Sequence, residues 1–504
     1  MGGGFVTKSC IMGLAILLLL FLTSGSALAR PNVVFIMADD LGYGDMSCYG
    51  ATHFDTPACD RLAKEGMRFT DAHSPSAVCT PTRYATLTGR YAWRTWLKNW
   101  VTFENHPLLI DPERLTMGKL FQQAGYTTGC IGKWHLGWGT ELNPDYGNEP
   151  KPGPLEVGFD SFFGVPFSHN SSKPLQVYMR GRQIVGLKPG LSYKSDEAMK
   201  DTVRSLEDTA IELSEEAVAF IDRQAKDKDM PFFLFYPTTN VHFPLTPNKR
   251  FKGKTQAGIY GEFAIEFDWA VGEVLTALDR NGLTDNTIVI VTSDNGGRPP
   301  TKPKEIAGYN NHACNGSWRG TKRQIYEGGH RVPLIVRWPG KVAAGAVSCE
   351  TVCLTDFFRT FATMLKQPVP TGAGEDSYDI TNVLLGQPYK KPLREATVHH
   401  SVAGTFAIRK GDWKLIEGSG DGDYPRTGQG RMDVKSRELE RDPQTGKWIK
   451  LDYFRLKPDG LFQLYNLHTD PAEKHNVADA HPGKVQELKK LLNRYRANGR
   501  SVDL

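Results

Sequence analysis

Four short apolar runs, at residues 33–37, 232–236, 288–291 and 333–336, stand out along the first two thirds of the chain. They are apolar at consecutive rather than alternate positions, so they read as strands covered on both faces, as in a parallel sheet. Between them, residues 206–221 and 262–278 repeat apolar side chains at three- and four-residue spacing, the mark of helices with one buried stripe. Strands alternating with helices predict a doubly wound α/β core. After residue 387 the pattern changes. Residues 407–408 and 413–416 read as the strands of a hairpin, 418–430 as a Gly- and Asp-rich loop, and 482–495 as a closing amphipathic helix. A core domain over 30–387 and a small α+β domain over 388–504 are the expectation.

The first 29 residues are of another kind. Lys8 precedes an almost unbroken apolar run at 11–22, and Ala27-Leu28-Ala29 offers a small-residue cleavage site. Residues 1–29 therefore read as a signal peptide, with Arg30 opening the mature chain. The run is short against the roughly 20 residues of a bilayer span, and no later segment is apolar enough to cross. The prediction is a secreted or exported protein (periplasmic, extracellular or lysosomal) with no stable membrane association after cleavage.

Charge and cysteine usage narrow the picture further. The 61 basic and 56 acidic residues nearly balance, at a formal net charge of +5. That lacks the concentrated basic patches of a nucleic-acid binder. Of the eight cysteines, Cys10 leaves with the leader. Cys349 and Cys353, the nearest pair, are the expected disulfide in an exported chain. The spacings needed for a zinc site are missing.

Two of the apolar runs end in acids. Residues 33–38 lead into Asp39-Asp40, and 288–293 into Asp294-Asn295. Ligands of open α/β sheets bind beyond the carboxyl ends of strands. Neighbouring strand residues point to opposite faces, so Asp39 and Asp40 can face one ion only where the strand is ending. Three carboxylates and a carboxamide make an all-oxygen set for a hard cation, calcium or magnesium.

The segment Cys79-Thr80-Pro81-Thr82-Arg83, followed by Thr88-Gly89, resembles the C-x-P-x-R-x4-T-G pattern of the type I sulfatase family. In that family a maturation enzyme oxidises the cysteine to formylglycine (3-oxoalanine). Gly132-Lys133-Trp134-His135-Leu136-Gly137 is similar to the family's GKWHLG element. Lys322 before Tyr326-Glu327-Gly328-Gly329 is similar to its K-x3-[YW]-E-G-G element. Asn240-Val241-His242-Phe243-Pro244, Gly164-Val165-Pro166-Phe167-Ser168-His169 and a C-terminal Leu464-Tyr465-Asn466-Leu467 also match, so the likeness spans about residues 31–480.

The resemblance implies an alkaline-phosphatase-like α/β sandwich with a small C-terminal domain, and hydrolysis of sulfate esters. It implies calcium rather than magnesium, held by Asp39, Asp40, Asp294, Asn295 and the modified Cys79. By the same likeness, Arg83 steadies the nucleophile and Lys133 and Lys322 contact sulfate. Ser168 touches sulfate, His135 is a base, and His242 protonates the leaving oxygen. The geminal hydroxyls of a hydrated aldehyde make chemical sense: one attacks sulfur, and the other expels sulfate as the aldehyde returns. The implied partners are a sulfated carbohydrate or other sulfate monoester and the formylglycine-generating enzyme. A phosphoester or phosphonate hydrolase of the same superfamily is the alternative.

His312 and Arg319, just before Lys322, read equally as part of the pocket wall or as solvated loop residues. Asn170 and Asn315 lie in N-glycosylation patterns but close to site residues, where a glycan would obstruct access, and read as chance matches.

Overall fold

The computed structural model describes residues 1–2, 30–423, 439–450 and 460–503. Nearly all of the expected leader lies outside them, and the loop expected at 418–430 is described only as far as Asp423. Ten strands form the main sheet: β1 (Asn32–Ala38), β2 (Met67–Phe69), β3 (Thr127–Lys133), β4 (Ser161–Val165), β5 (Met179–Arg180), β6 (Gln183–Ile184), β7 (Phe232–Pro237), β8 (Thr287–Ser293), β9 (Leu334–Arg337) and β10 (Ala346–Ser348). Their order is β10-β2-β9-β8-β1-β7-β3-β4-β5-β6. The middle five, β8-β1-β7-β3-β4, are parallel.

One expectation about direction fails. The run at 333–336 is a strand, β9, but it lies antiparallel to both neighbours. An apolar run reports burial and not direction. The connection from β8 begins and returns at one end of the sheet, pairing Leu334 with Thr292, and a strand that starts where its neighbour stopped must run back.

Helices cover both faces, giving the α/β sandwich. On one side, α2 (Thr209–Gln224) and α3 (Gly258–Arg280) pack Phe220, Phe267 and Val274 onto Val34, Ile36 and Leu234. On the other, α1 (Cys79–Thr88) and α4 (Phe357–Met364) pack Leu87, Phe357 and Phe361 onto Val33, Phe35 and Met37. Alternate residues of β1 thus serve opposite cores, which is why the strand is apolar throughout.

Toward the C-terminus the antiparallel strands β11 (Thr397–His400), β12 (Phe406–Lys410), β13 (Trp413–Glu417) and β14 (Phe462–Asn466) form a second sheet. Helix α5 (Pro482–Ala497) lays Leu488 and Leu492 against Ile408, Leu415 and Leu464. The expected Cys349–Cys353 bridge is absent. Both thiols are free, Cys349 exposed and Cys353 buried, so one faces solvent while the other faces the core. Among the described residues no helix is long and apolar enough to cross a membrane.

Candidate active site

The site is built where β1 and β8 end side by side. Ala38 pairs with Ser293, so Asp39-Asp40 and Asp294-Asn295 leave the sheet together. Asp40 takes a left-handed backbone, with φ 66°. That departure from the pleat lets both aspartates reach one space. The turn is held by the Asp40 N–H donating to Asp294 Oδ1 at 3.2 Å and the Leu41 N–H donating to Ser293 Oγ at 3.1 Å. Asn295 Nδ2 donates to Asp40 Oδ1 at 2.9 Å.

Cys79 is the first residue of α1, and Val78 before it supplies no side-chain cap. Lys322 Nζ lies 3.5 Å from Cys79 Sγ and 2.5 Å from Asp40 Oδ1. One turn along α1, the buried Arg83 donates to Asp294 Oδ2 through Nε and Nη2, at 3.0 and 2.7 Å, and to the Lys133 carbonyl at 2.9 Å. Lys133, ending β3, donates to both oxygens of Asp39 at 2.9 and 2.7 Å. Gly132 beside it has φ 130°, and a Cβ there would lie 1.8 Å from the Pro237 carbonyl oxygen. Only glycine lets the end of β3 approach β7 so closely.

Two imidazoles complete the group. His135, at φ 56°, places Nε2 3.2 Å from the Thr102 carbonyl. A carbonyl only accepts, so Nε2 carries the proton and Nδ1 holds the lone pair; that Nδ1 is buried without a partner. His242 Nδ1 donates to the Phe243 carbonyl at 2.6 Å, leaving Nε2 as the acceptor 3.4 Å from Ser168 Oγ. Cys79, His135, Ser168, His242 and Lys322 line one pocket of about 410 Å³. Asp39, Asp40, Arg83, Lys133, Asp294 and Asn295 form its buried backing. The predicted site residues therefore meet in one place.

Electrostatics in this space are set by burial against close charges. Burial would raise the Asp40 carboxyl, but Lys322 and Lys133 outweigh it and hold it well below the carboxylate range. Asp294 moves the other way. Burial, with Asp39 and Asp40 nearby, overcomes Arg83 and carries it to about 6. Burial, then Lys322, keeps His242 neutral, and burial with Lys133 and Arg83 does the same for His135. The Cys79 thiol is pushed up by burial, despite Lys133 and Lys322.

The residues present fit a hard divalent cation. Asp40 Oδ2 and Asn295 Oδ1 are buried without any hydrogen-bond partner. Single donor atoms of Asp39, Asp40, Cys79 and His242 lie within 4.8 Å of one another. Leaving two buried acceptors bare costs about 1–3 kcal/mol each, and a cation would relieve that cost.

Sequence reasoning missed Thr80 and Thr102, whose hydroxyls both donate to the His135 carbonyl at 2.9 Å. They pin the strained backbone that aims the imidazole. Of the two readings open for His312 and Arg319, the pocket wall fails for both and the solvated loop fits Arg319 alone. His312 bonds Asp45 at 2.7 Å and Arg319 stacks on Tyr326 at 3.7 Å, and the pocket wall contains neither. The wall is instead made by Trp100, Phe103, Glu104, Arg298 and Arg323, among others. Of the two glycosylation patterns, Asn315 is buried with its side-chain amide on the Gly297 backbone, while Asn170 is exposed at the pocket.

Comparison with known proteins gives a consistent result. Residues 31–366 match the family model described as Sulfatase. The chain is 36% identical to the N-acetylgalactosamine-6-O-sulfatase of Bacteroides thetaiotaomicron, over 93% of this chain and 94% of that relative. It is 34% identical to human arylsulfatase A, over 95% and 90% respectively. A solved sulfatase structure, from work on glycosaminoglycan metabolism by Bacteroides thetaiotaomicron, superposes with a TM-score of 0.81 at 35% identity, covering 93% of this chain and 100% of that one.

Proposed function

Because the chain belongs to the sulfatase family, we propose that this enzyme cleaves the sulfate monoesters of a sulfated carbohydrate with a formylglycine made from Cys79 beside a bound calcium ion. The observation that carries the reading is the placement of Cys79. It opens a helix at the pocket, with Lys322 3.5 Å from its sulfur and the bare Asp40 Oδ2 close by. The likeness to an N-acetylgalactosamine-6-O-sulfatase over nearly the whole of both chains supports a sulfated sugar as substrate.

Asp39, Asp40, Asp294 and Asn295 would hold the cation, with residue 79 next to it. Bound there, it would polarise the sulfate and make a hydroxyl of residue 79 more acidic. Hydrated formylglycine would supply one hydroxyl for attack on sulfur and a second for release of sulfate. The other roles fall to side chains already in place. Lys322 and Lys133 oppose the negative charge that builds on the sulfuryl oxygens. His242 Nε2 faces the pocket beside Ser168 as the ring's bare acceptor; once the bound substrate's negative charge lets it take up a proton, that proton is placed to reach the leaving oxygen. His135 is held by Thr102 so that only Nδ1 can accept a proton, which suits it to deprotonate the second hydroxyl. In this reading residues 30–387 carry the catalysis and 388–504 brace it, and residues 1–29 direct export, with a maturation enzyme acting on Cys79.

The test pairs peptide mass spectrometry across residues 76–90 with an aryl-sulfate assay. The active protein should carry a peptide about 18 Da lighter than the cysteine form, and Cys79→Ala should be inert. Full activity with an unmodified cysteine would overturn the mechanism.

A further inference from the structure

The catalytic pocket does not end at its own rim. Arg298, Lys322 and Arg323 border both the pocket and an adjoining groove of about 580 Å³, whose other walls include Thr301, Thr321 and Asp423. The charges on this shared border are not equivalent. Lys322 is paired with Asp40 at 2.5 Å. Arg323 is clamped to Asp423 at 2.7–3.0 Å and lies over the Trp100 ring at 4.7 Å. Arg298 is exposed and has no ion-pair partner among the described residues. Its guanidinium lies 5.8 Å from the centroid of Phe243, the residue that follows His242. Phe243 also faces Lys302 Nζ at 4.3 Å. The cationic corner therefore adjoins the histidine assigned to the leaving oxygen, on the side where the rest of a substrate must extend. The pocket wall also carries a carboxylate, Glu104, which suits sugar hydroxyls and repels an anion.

We propose that Arg298, at the junction of pocket and groove, binds a second anionic group of the substrate, a carboxylate or another sulfate on the leaving-group side of the scissile ester. The enzyme then selects polyanionic glycan fragments over singly charged sulfate esters. This rests on the sulfatase reading and extends it to substrate class. A guanidinium meets a carboxylate or sulfate through two parallel N–H donors, which an ammonium cannot reproduce.

The experiment uses the matured full chain and four substrates: 4-nitrophenyl sulfate, a monosulfated sugar, its disulfated counterpart, and a sulfated disaccharide containing a uronate, alongside the same disaccharide with its carboxyl reduced to an alcohol. Arg298→Ala should lower kcat/KM on the dianionic sugars by about tenfold, chiefly through KM, the equivalent of about 1.4 kcal/mol. The loss on 4-nitrophenyl sulfate should stay below about threefold, in line with a rim charge that this ester does not reach. Arg298→Lys should recover part of the loss and Arg298→Glu should deepen it. The uronate and disulfated arms tell which anion is preferred. Equal losses on singly and doubly charged substrates, or no wild-type preference for either dianion over its neutralised counterpart, would overturn the proposal. Failure of the wild-type enzyme on every sulfate ester would instead overturn the reading beneath it.

Discussion

Two buried clusters in this molecule are built from nearly the same parts. In the candidate active site, Asp39, Asp40 and Asp294 face Arg83, Lys133 and Lys322, with His135 and His242 beside them. Between the main sheet and the C-terminal sheet, Asp71, Glu327 and Glu473 face Arg331, Arg409 and Lys414, with His73, His330 and His399 among them. A tally of charges cannot tell one from the other.

Their unused valences can. In the second cluster Lys414 donates to His330 Nε2 at 3.1 Å, so His330 Nδ1 carries the proton and gives it to His73 Nδ1 at 3.1 Å. His73 Nε2 then donates to Asp71 at 2.8 Å. The chain of donors closes on itself. His399 Nε2 and Glu473 Oε1 are left over, but Lys414 Nζ pairs with that oxygen at 2.8 Å, and the His399 ring stacks on His330 at 3.8 Å with 9° between planes. Parallel rings cannot aim in-plane lone pairs at one ion, so the three histidines make a poor metal site. In the first cluster the leftovers are two oxygens, Asp40 Oδ2 and Asn295 Oδ1, and the lone pair of His135 Nδ1, beside a pocket. A buried polar cluster with unspent acceptors and an opening is a place for a ligand, whereas one that closes on itself is a rivet.

The largest effect should come from breaking the first cluster at Lys133. Lys133→Met is expected to cut kcat on an aryl sulfate by on the order of 10³-fold or more, the scale of a lost charge-stabilising group. With the proposed calcium in excess its unfolding free energy should change little, because the cation would still pair with Asp39. After chelation it should fall further than the wild type does, because a buried carboxylate then loses its partner. Calcium-independent stability loss, with activity per folded molecule retained, would make this cluster a rivet too.

Most of the first cluster was legible in the chain. Cys79 to Arg83, Lys133 with His135, and Lys322 sit in short motifs, so their convergence on one pocket could be read from local spacing. The acids at the ends of β1 and β8 were legible because consecutive apolar residues mark covered strands. The second cluster was not. Asp71, His73, Glu327, His399, Arg409, Lys414 and Glu473 come from separate stretches, and no local pattern encodes their pairing. Glu327 was visible only as part of a motif framing Lys322, although its carboxylate serves Arg331 and Lys414. Thr80 and Thr102 escaped for the same reason, since a hydroxyl aimed at a backbone carbonyl has no signature in sequence. The direction of β9 and the unbonded Cys349 and Cys353 depended likewise on tertiary placement.

Next in size is the second cluster broken at Glu327. Burial opposes its ionisation, but Lys414 and Arg331 outweigh that and hold the carboxyl well below its usual range. Glu327→Gln keeps the shape and removes the charge, leaving Lys414 and Arg331 short of a partner. An unfolding free energy lower by about 3 kcal/mol is expected, with kcat/KM per folded molecule close to wild type. Denaturant melts read beside active-site titration check it. A large kcat loss with unchanged stability would erase the distinction between the clusters.

The smallest effect is a slope. His399 is held neutral by burial first, then by His73 and Lys414, well below the ordinary imidazole value. Above about pH 6.5 the folded and unfolded chains both carry it neutral and it contributes no pH dependence. As pH falls below that value the unfolded chain takes a proton that the folded chain refuses. Stability should then drop by up to about 1.4 kcal/mol per pH unit until the folded value is reached. His399→Phe keeps a flat ring against His330 and removes the titration. Its unfolding free energy, measured by denaturant between pH 7 and 5, should therefore fall less steeply than the wild type's by one proton. Parallel slopes would mean that His399 already shares a proton in the fold, and that the second cluster is held by ionised imidazoles rather than by the neutral donor chain described above.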